Sequence, residues 1–287
     1  MTACILKIIA VITMVIDHTG VIFFDGQEVW RMIGRTAMPL YAFMLVEGVR
    51  YTRRKEGGLR RYLLLLVLLA VISEPCYDFA FEGVPVDPEE QNQILQFATF
   101  VFAYWLCQAI RGWLGGGRLP AGPEQLDHSA AERWSLPPEA GAPRRILCAV
   151  LQIGVWVITV VVNSYFEIGY WGTGIVFLLM LYQYAVIRAE RPPEWRWITM
   201  AAILFAFMML WYIEEAFYAR GLAALVWTVP WLLFNTAVGK FVFLALPFLA
   251  LYNGEYGNPP KWAKTAYRIF YPAHLLVLGI LAAVLIR

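Results

Sequence analysis

Charged side chains are scarce in this sequence. Asp, Glu, Lys and Arg make up only 15% of it, against about 25% in an ordinary soluble domain. That shortage excludes a well-hydrated globular surface. The net charge of +2 is too small to suggest a nucleic-acid partner. Histidine occurs three times and cysteine four times. Cys4, Cys76, Cys107 and Cys148 lie scattered in apolar runs without CxxC spacing, which argues against a zinc site or a disulfide framework. They read as small buried hydrophobes. Internal duplication is also missing, whereas many transporters are built from internal repeats.

What is abundant is apolar length. Hydrophobic residues reach 60% and mean hydropathy is +0.59. A helix needs about 20 apolar residues to cross a bilayer. Blocks of suitable length run roughly over 4–24, 29–49, 60–81, 93–111, 145–163, 170–188, 196–213, 219–235, 237–252 and 266–286. The expected fold class is therefore all-α: a polytopic transmembrane bundle of about nine to ten helices, one domain over 1–287, with a flexible loop at about 112–144. The 219–235 block is the weakest, and either it or 237–252 reads as re-entrant. Lys7 lies inside the first run, and no small-x-small site precedes Asp25–Glu28, so that run reads as a retained helix, not a signal peptide.

Loop charge gives an orientation. The connection 50–61 carries Arg50, Arg53, Arg54, Lys55, Arg60 and Arg61 against Glu56, which places it in the cytoplasm together with the N-terminus. The next loop, with Glu82, Asp87, Glu89 and Glu90, is acidic and falls outside. The 112–144 loop, which holds His128 as an ordinary exposed histidine, and the 188–196 connection fall inside. One loop resists: 253–268 carries Lys261, Lys264 and Arg268, and nine spans put it inside whereas ten put it outside. The 12 Trp and 15 Tyr read as interfacial anchors near helix ends.

Against this apolar background a few polar groups stand out. Asp17 and His18 interrupt the first run, and a charged group at the centre of a membrane helix costs about 2.5–3.5 kcal/mol on insertion scales. Asp17 lies about two-thirds of the way along its helix, so it sits in the outer half. Arg31 and Arg35 open the second block on that side, with i,i+4 spacing that puts both on one helix face. Glu74 and Asp78 close the third block there, and Gln91 and Asn92 open the fourth. These groups are expected to face one another across the bundle. Adjacent residues on a helix point about 100° apart, so Asp17 and His18 cannot pair. We expect His18 to face a cavity and Asp17 to pair with Arg31 or Arg35, with the reverse arrangement left open. Histidine suits a general base near neutral pH, and His18 and His274 are the two embedded in the membrane. Pro39 and Pro75 read as ordinary bundle kinks. The basic loop reads first as a topology determinant that binds lipid headgroups. Its functional reading is an anion-binding mouth at Arg50, Arg53 and Arg54.

The residues also carry a resemblance. LKIIAVITMVIDHTGVIFF at 6–24 and RMIGRTAMPLYAFMLVEGVRYTR at 31–53 resemble the opening of the TraX family of membrane proteins. ISEPCYDFAF with the later Gln91-Asn92, EIGYWGTGI, LPFLALYNGEYG and IFYPAHLLVL extend the match in order across nearly the whole chain. The family is named for a conjugation protein that N-acetylates pilin subunits. It is similar to multi-pass, acyltransferase-3-like enzymes that use acetyl-CoA and need an intramembrane histidine. The resemblance implies a bacterial cytoplasmic-membrane acetyltransferase with His18 and Asp17 as leading catalytic residues.

On this reading His18 deprotonates an amine or hydroxyl acceptor or carries the acetyl group itself. Arg35 or Arg31 stabilises the oxyanion. Glu74 and Asp78 hold the acceptor or fix the arginines, and Gln91, Asn92 and His274 complete the acceptor side. Arg50, Arg53 and Arg54 bind the phosphates of acetyl-CoA. The acceptor is a pilin-like protein N-terminus or a cell-envelope glycan or lipid, reached at the outer side of the bilayer. Metal is not expected. The alternatives are a proton-coupled transporter or flippase using the same buried acids, and a scaffold in which the polar cluster only locks helices together.

Overall fold

The structure is a computed structural model that describes residues 1–24, 27–53, 57–116, 135–188, 191–221 and 238–286. Its helices are α1 (Ala3–Phe23), α2 (Glu28–Gly34), α3 (Ala37–Thr52), α4 (Gly58–Phe81), α5 (Gln93–Leu114), α6 (Ala142–Tyr165), α7 (Trp171–Ile187) and α8 (Pro193–Arg220). A 3₁₀ run, Val238–Ala245, leads into α9 (Leu246–Ala250), and α10 (Lys261–Leu285) follows. Six of these helices contain segments long and apolar enough to cross a membrane. No strand occurs among the described residues, and the chain is a polytopic helical membrane bundle.

The packing follows from a solvent of hydrocarbon. On α1, Ile5, Ile8 and Ile12 are about half exposed, while Leu6, Ala10 and Met14 turn inward. Apolar side chains cover both faces, as a lipid-facing helix requires. Small residues let backbones approach where hydrophobic burial gives no drive. Gly20 abuts Trp30, Gly34 abuts Asp17, and Gly279 abuts Phe79 and Ala80, so a Cβ at any of them would collide. The centre is built by α3, α5, α7 and α8, through Phe43, Phe100, Phe177, Leu178, Tyr182 and Phe207, all essentially fully buried. The 17-residue α7 is apolar all round because protein, not lipid, surrounds it.

The second apolar block is not one helix. It breaks at Arg35 and Thr36, between α2 and α3. Pro39 lacks the N–H that would bond the Arg35 carbonyl, and its ring crowds that carbonyl. The expected continuous face for Arg31 and Arg35 is therefore lost. Pro75, in contrast, stays within α4.

The ends of the bundle can be told apart. The first N–H groups of α1 have no intrahelical partner, and two of them bond the connection before α10: Ala3 N donates to Glu255 O at 2.8 Å and Cys4 N to Tyr256 O at 3.1 Å. The 253–260 connection therefore lies where α1 begins, the placement that nine spans require. The Arg188 end of α7 and the Arg50 end of α3 meet there too. We call this the basic end. The opposite, acidic end gathers the C-terminal parts of α1 and α4 and the 82–92 connection. The expected loop at 112–144 is shorter than its bounds suggest: α5 runs to Leu114 and α6 starts at Ala142. His128 and nearly all of the 219–235 block lie outside the described residues.

Candidate functional site

A cavity of 680 Å³ runs through the bundle. Near the acidic end its wall includes Asp17, His18, Gly34, Gln93, Tyr170 and Tyr271. Towards the basic end it includes Lys7, Glu47, Gly48, Tyr51, Tyr256 and Arg268. Tyr51 and Tyr256 are 60% and 42% exposed, so this end reaches the surface. Lys7 and His18 stand on one face of α1, roughly 16 Å apart at 1.5 Å per residue.

His18 is held by the other end of the chain. Its Nδ1 lies 2.8 Å from His274 Nε2 of α10, with the two rings within 13° of parallel. His274 Nδ1 lies 2.9 Å from the Phe270 carbonyl oxygen. A carbonyl only accepts, so His274 Nδ1 carries the proton that it donates. With both histidines neutral, His274 Nε2 is then a lone pair, His18 Nδ1 donates to it, and His18 Nε2 is left as a base. Phe81 packs edge-on against the His18 ring at 5.2 Å. The sequence singled out both histidines but carried no sign that they touch.

Asp17 pairs with Arg31, Oδ1 to Nε, at 3.2 Å. Of the two partners expected for it, the α2 residue is the one it takes. Arg35, displaced by the helix break, donates through Nη1 to the Tyr170 hydroxyl at 3.0 Å and lies over the Trp211 ring at 4.7 Å. It is not among the residues lining the cavity; Tyr170 is.

The other acidic-end residues mainly hold backbone. Asn92 caps α5, accepting from Ile94 N and Leu95 N, and its amide donates to Glu74 and to the Ala70 carbonyl. Asp78 accepts from Asp87 N at 2.9 Å and so closes the following turn. Gln91 donates to Pro88 O, and its own carbonyl takes the Gly169 N–H. Glu74, Asp78, Gln91 and Asn92 do not line the cavity, so the shared polar face expected of all four helices is narrower than charge placement suggested.

The basic loop also differs from expectation. Arg50 binds Glu47 at 2.7 Å, and Arg188 binds the second oxygen of the same carboxylate at 3.1 Å. Arg53 donates to the hydroxyls of Tyr104 and Tyr182 at 3.2 and 3.0 Å. Neither arginine lines the cavity; Lys7 and Arg268 do. Arg54 lies outside the described residues. Eight tyrosines line the cavity, Tyr41, Tyr62, Tyr252 and Tyr267 among them. Composition read these residues as interfacial anchors. The i,i+4 pair Tyr267 and Tyr271 on the last helix was the available signal for a second role.

Fold and site together define a class: a polytopic helical membrane protein in which a histidine of the first described helix lines an internal cavity and is bonded from behind by a histidine of the last described helix, which does not line it. Residues 3–116, which include Asp17 and His18, match the family model described as TraX protein. The protein described as "Probable fimbrial assembly protein FimC, serogroup H1" from Dichelobacter nodosus is 34% identical over 101 residues, covering 34% of this chain and 40% of that relative. Protein TraX from Escherichia coli is 27% identical over 282 residues, covering 97% of this chain and 86% of that protein. The chain thus spans well under half of the first relative's length and most of the second's. No solved structure matches. Residues 3–116 are thus similar to the TraX family, the stretch that holds the first two motifs quoted for that resemblance.

Proposed function

We propose that this chain is a membrane-embedded acetyltransferase that moves an acetyl group from acetyl-CoA to an amine or hydroxyl acceptor. The observation that carries the reading is the Phe270–His274–His18 relay, which presents His18 on the wall of a cavity reaching the basic end. A base aligned by a second group behind it is the arrangement that acyl transfer uses to activate a nucleophile. His274 does for His18 what an orienting partner must: it fixes the tautomer and receives the hydrogen bond that strengthens when His18 becomes cationic.

On this proposal the basic end is cytoplasmic. Lys7 and Arg268, which line the cavity towards the basic end, take the place of Arg50 and Arg53 as the groups that would hold the phosphates of CoA. The thioester arm would follow the α1 face from Lys7 towards His18. The acceptor would arrive from the acidic, outer side. A pilin-like protein N-terminus is the acceptor that the family resemblance favours, and the fimbrial name of one relative agrees with it. A cell-envelope glycan or lipid is the other class.

The test is purified full-length protein in lipid nanodiscs with radiolabelled acetyl-CoA and an acceptor panel of N-terminal pilin peptides, envelope glycans and lipids. Transfer that disappears in His18→Ala is expected. Wild-type protein that neither transfers label to any acceptor nor hydrolyses the thioester would defeat the reading.

A further inference from the structure

We propose that Tyr170 is the oxyanion donor of this site and that Arg35 is the positioning residue that primes it. The inference rests on the acetyltransferase reading above and names a part of the machinery which that reading leaves open.

Arg35 Nη1 donates to the Tyr170 oxygen at 3.0 Å. A guanidinium never accepts, so the phenolic hydrogen is not spent on Arg35. Tyr170 lines the same cavity as His18, and a hydroxyl that accepts a charge-assisted bond becomes a stronger donor. Arg35 is in turn fixed by the face of Trp211, 4.7 Å from its guanidinium carbon, and Trp211 meets the Tyr170 ring edge-on at 5.1 Å.

The backbone around Tyr170 is built for placement. Glu167 and Trp171 both hold φ near +50°, a region that L side chains avoid. Gln96, fully buried on α5, secures this irregular segment. Its amide donates to Ile168 O at 2.8 Å and Trp171 O at 2.7 Å, and its oxygen accepts from Tyr170 N at 3.2 Å. Three bonds from one buried side chain thus tie this irregular segment to α5 where lipid offers no partner. Residues 167 to 171 are thus held in an unfavourable conformation around the one side chain that they send into the cavity.

The acceptor nitrogen or oxygen attacks the thioester carbonyl carbon while His18 Nε2 takes its proton. The carbonyl π pair moves to oxygen, and that oxyanion accepts the Tyr170 O–H. When the C=O re-forms the C–S bond breaks, and the leaving sulfur takes the proton from His18. The products are the acetylated acceptor and the free thiol of CoA.

The experiment compares wild type, Tyr170→Phe, Arg35→Gln and the double variant as full-length protein in nanodiscs, with acetyl-CoA and the best acceptor found. Tyr170→Phe keeps the ring and is expected to lower kcat by about 10²–10³-fold, with KM for acetyl-CoA changed less than threefold. Arg35→Gln alone is expected to lower kcat about tenfold, but to add less than twofold on top of Tyr170→Phe, because its effect runs through the hydroxyl. Equal fold-losses for Arg35→Gln with and without Tyr170→Phe, or Tyr170→Phe within twofold of wild-type kcat, would overturn the proposal while leaving the acetyltransferase reading intact. Inactive wild-type protein would overturn both. Should Tyr170→Phe fail to give a monodisperse species, Arg35→Gln, which leaves the tyrosine in place but removes the charge, decides the matter: undiminished kcat refutes the priming role.

Discussion

His18 and His274 share a 2.8 Å hydrogen bond between α1 and α10, and the carbonyl of Phe270 stands behind it at 2.9 Å from the far nitrogen of His274. The relay fixes the order of the two imidazoles: His18 faces the cavity and His274 supports it.

Replacing the supporting ring tests that order. His274→Ala is expected to lower kcat for acetyl transfer by about 10²-fold, within the range that positioned acid–base groups contribute, with the KM of acetyl-CoA little changed. Steady-state kinetics on monodisperse protein decides it. Activity within twofold of wild type would mean that His18 works unsupported.

A second expectation concerns the ion pair at 3.2 Å between Asp17 and Arg31, whose side chains are 18% and 37% exposed. Partial hydration of Arg31 screens it, so a double-mutant cycle of Asp17→Asn and Arg31→Gln should give a coupling of about 1 kcal/mol or less in detergent unfolding. A coupling several times larger would show a far drier pair than this geometry implies.

These outcomes bear on how much the chain disclosed before its fold was known. The membrane helices and a pairing of Asp17 with one of two arginines, Arg31 or Arg35, followed from apolar length and from the cost of charge in lipid; the fold made the choice of Arg31 and turned His18 to the cavity. The break before α3 was legible in Pro39 only to a reader who asked which carbonyl the proline vacates. The partnership of His18 with His274 was not legible, because 256 residues separate them and no periodicity spans that distance. Arg50 and Arg53 misled for a related reason. Charge density marks a membrane face but does not say which guanidinium a carboxylate or tyrosine hydroxyl will claim, and Glu47, Tyr104 and Tyr182 claim these two.

The proposed route of the donor can be blocked. Gly48 lines the basic half of the cavity, where an added Cβ would come within 2.7 Å of the Tyr62 hydroxyl. Gly48→Leu should raise the KM of acetyl-CoA about tenfold and leave kcat within threefold, the pattern of lost binding without lost chemistry. If the KM of the acceptor rises instead, donor and acceptor enter from the ends opposite to those proposed.

Sidedness gives the last prediction. With native cysteines replaced, Glu255→Cys should react with a membrane-impermeant maleimide only in inverted vesicles, and Ile286→Cys only in intact cells. Ala3 and Glu255 are joined by a backbone bond at 2.8 Å, whereas α10 carries the chain from that end to the other. Labelling of both positions from one side would contradict the nine-span arrangement.

The junction of α1 with α10 also bears on biosynthesis. A ribosome delivers α1 first and α10 last of the described helices, so a nascent chain holds His18 without its support until α10 enters the membrane and docks. A product stalled before α10 would carry His18 but not the relay, and on the proposed reading would be poorly equipped to consume a thioester. On the proposed reading, the arrival of α10 thereby becomes the event that switches the site on.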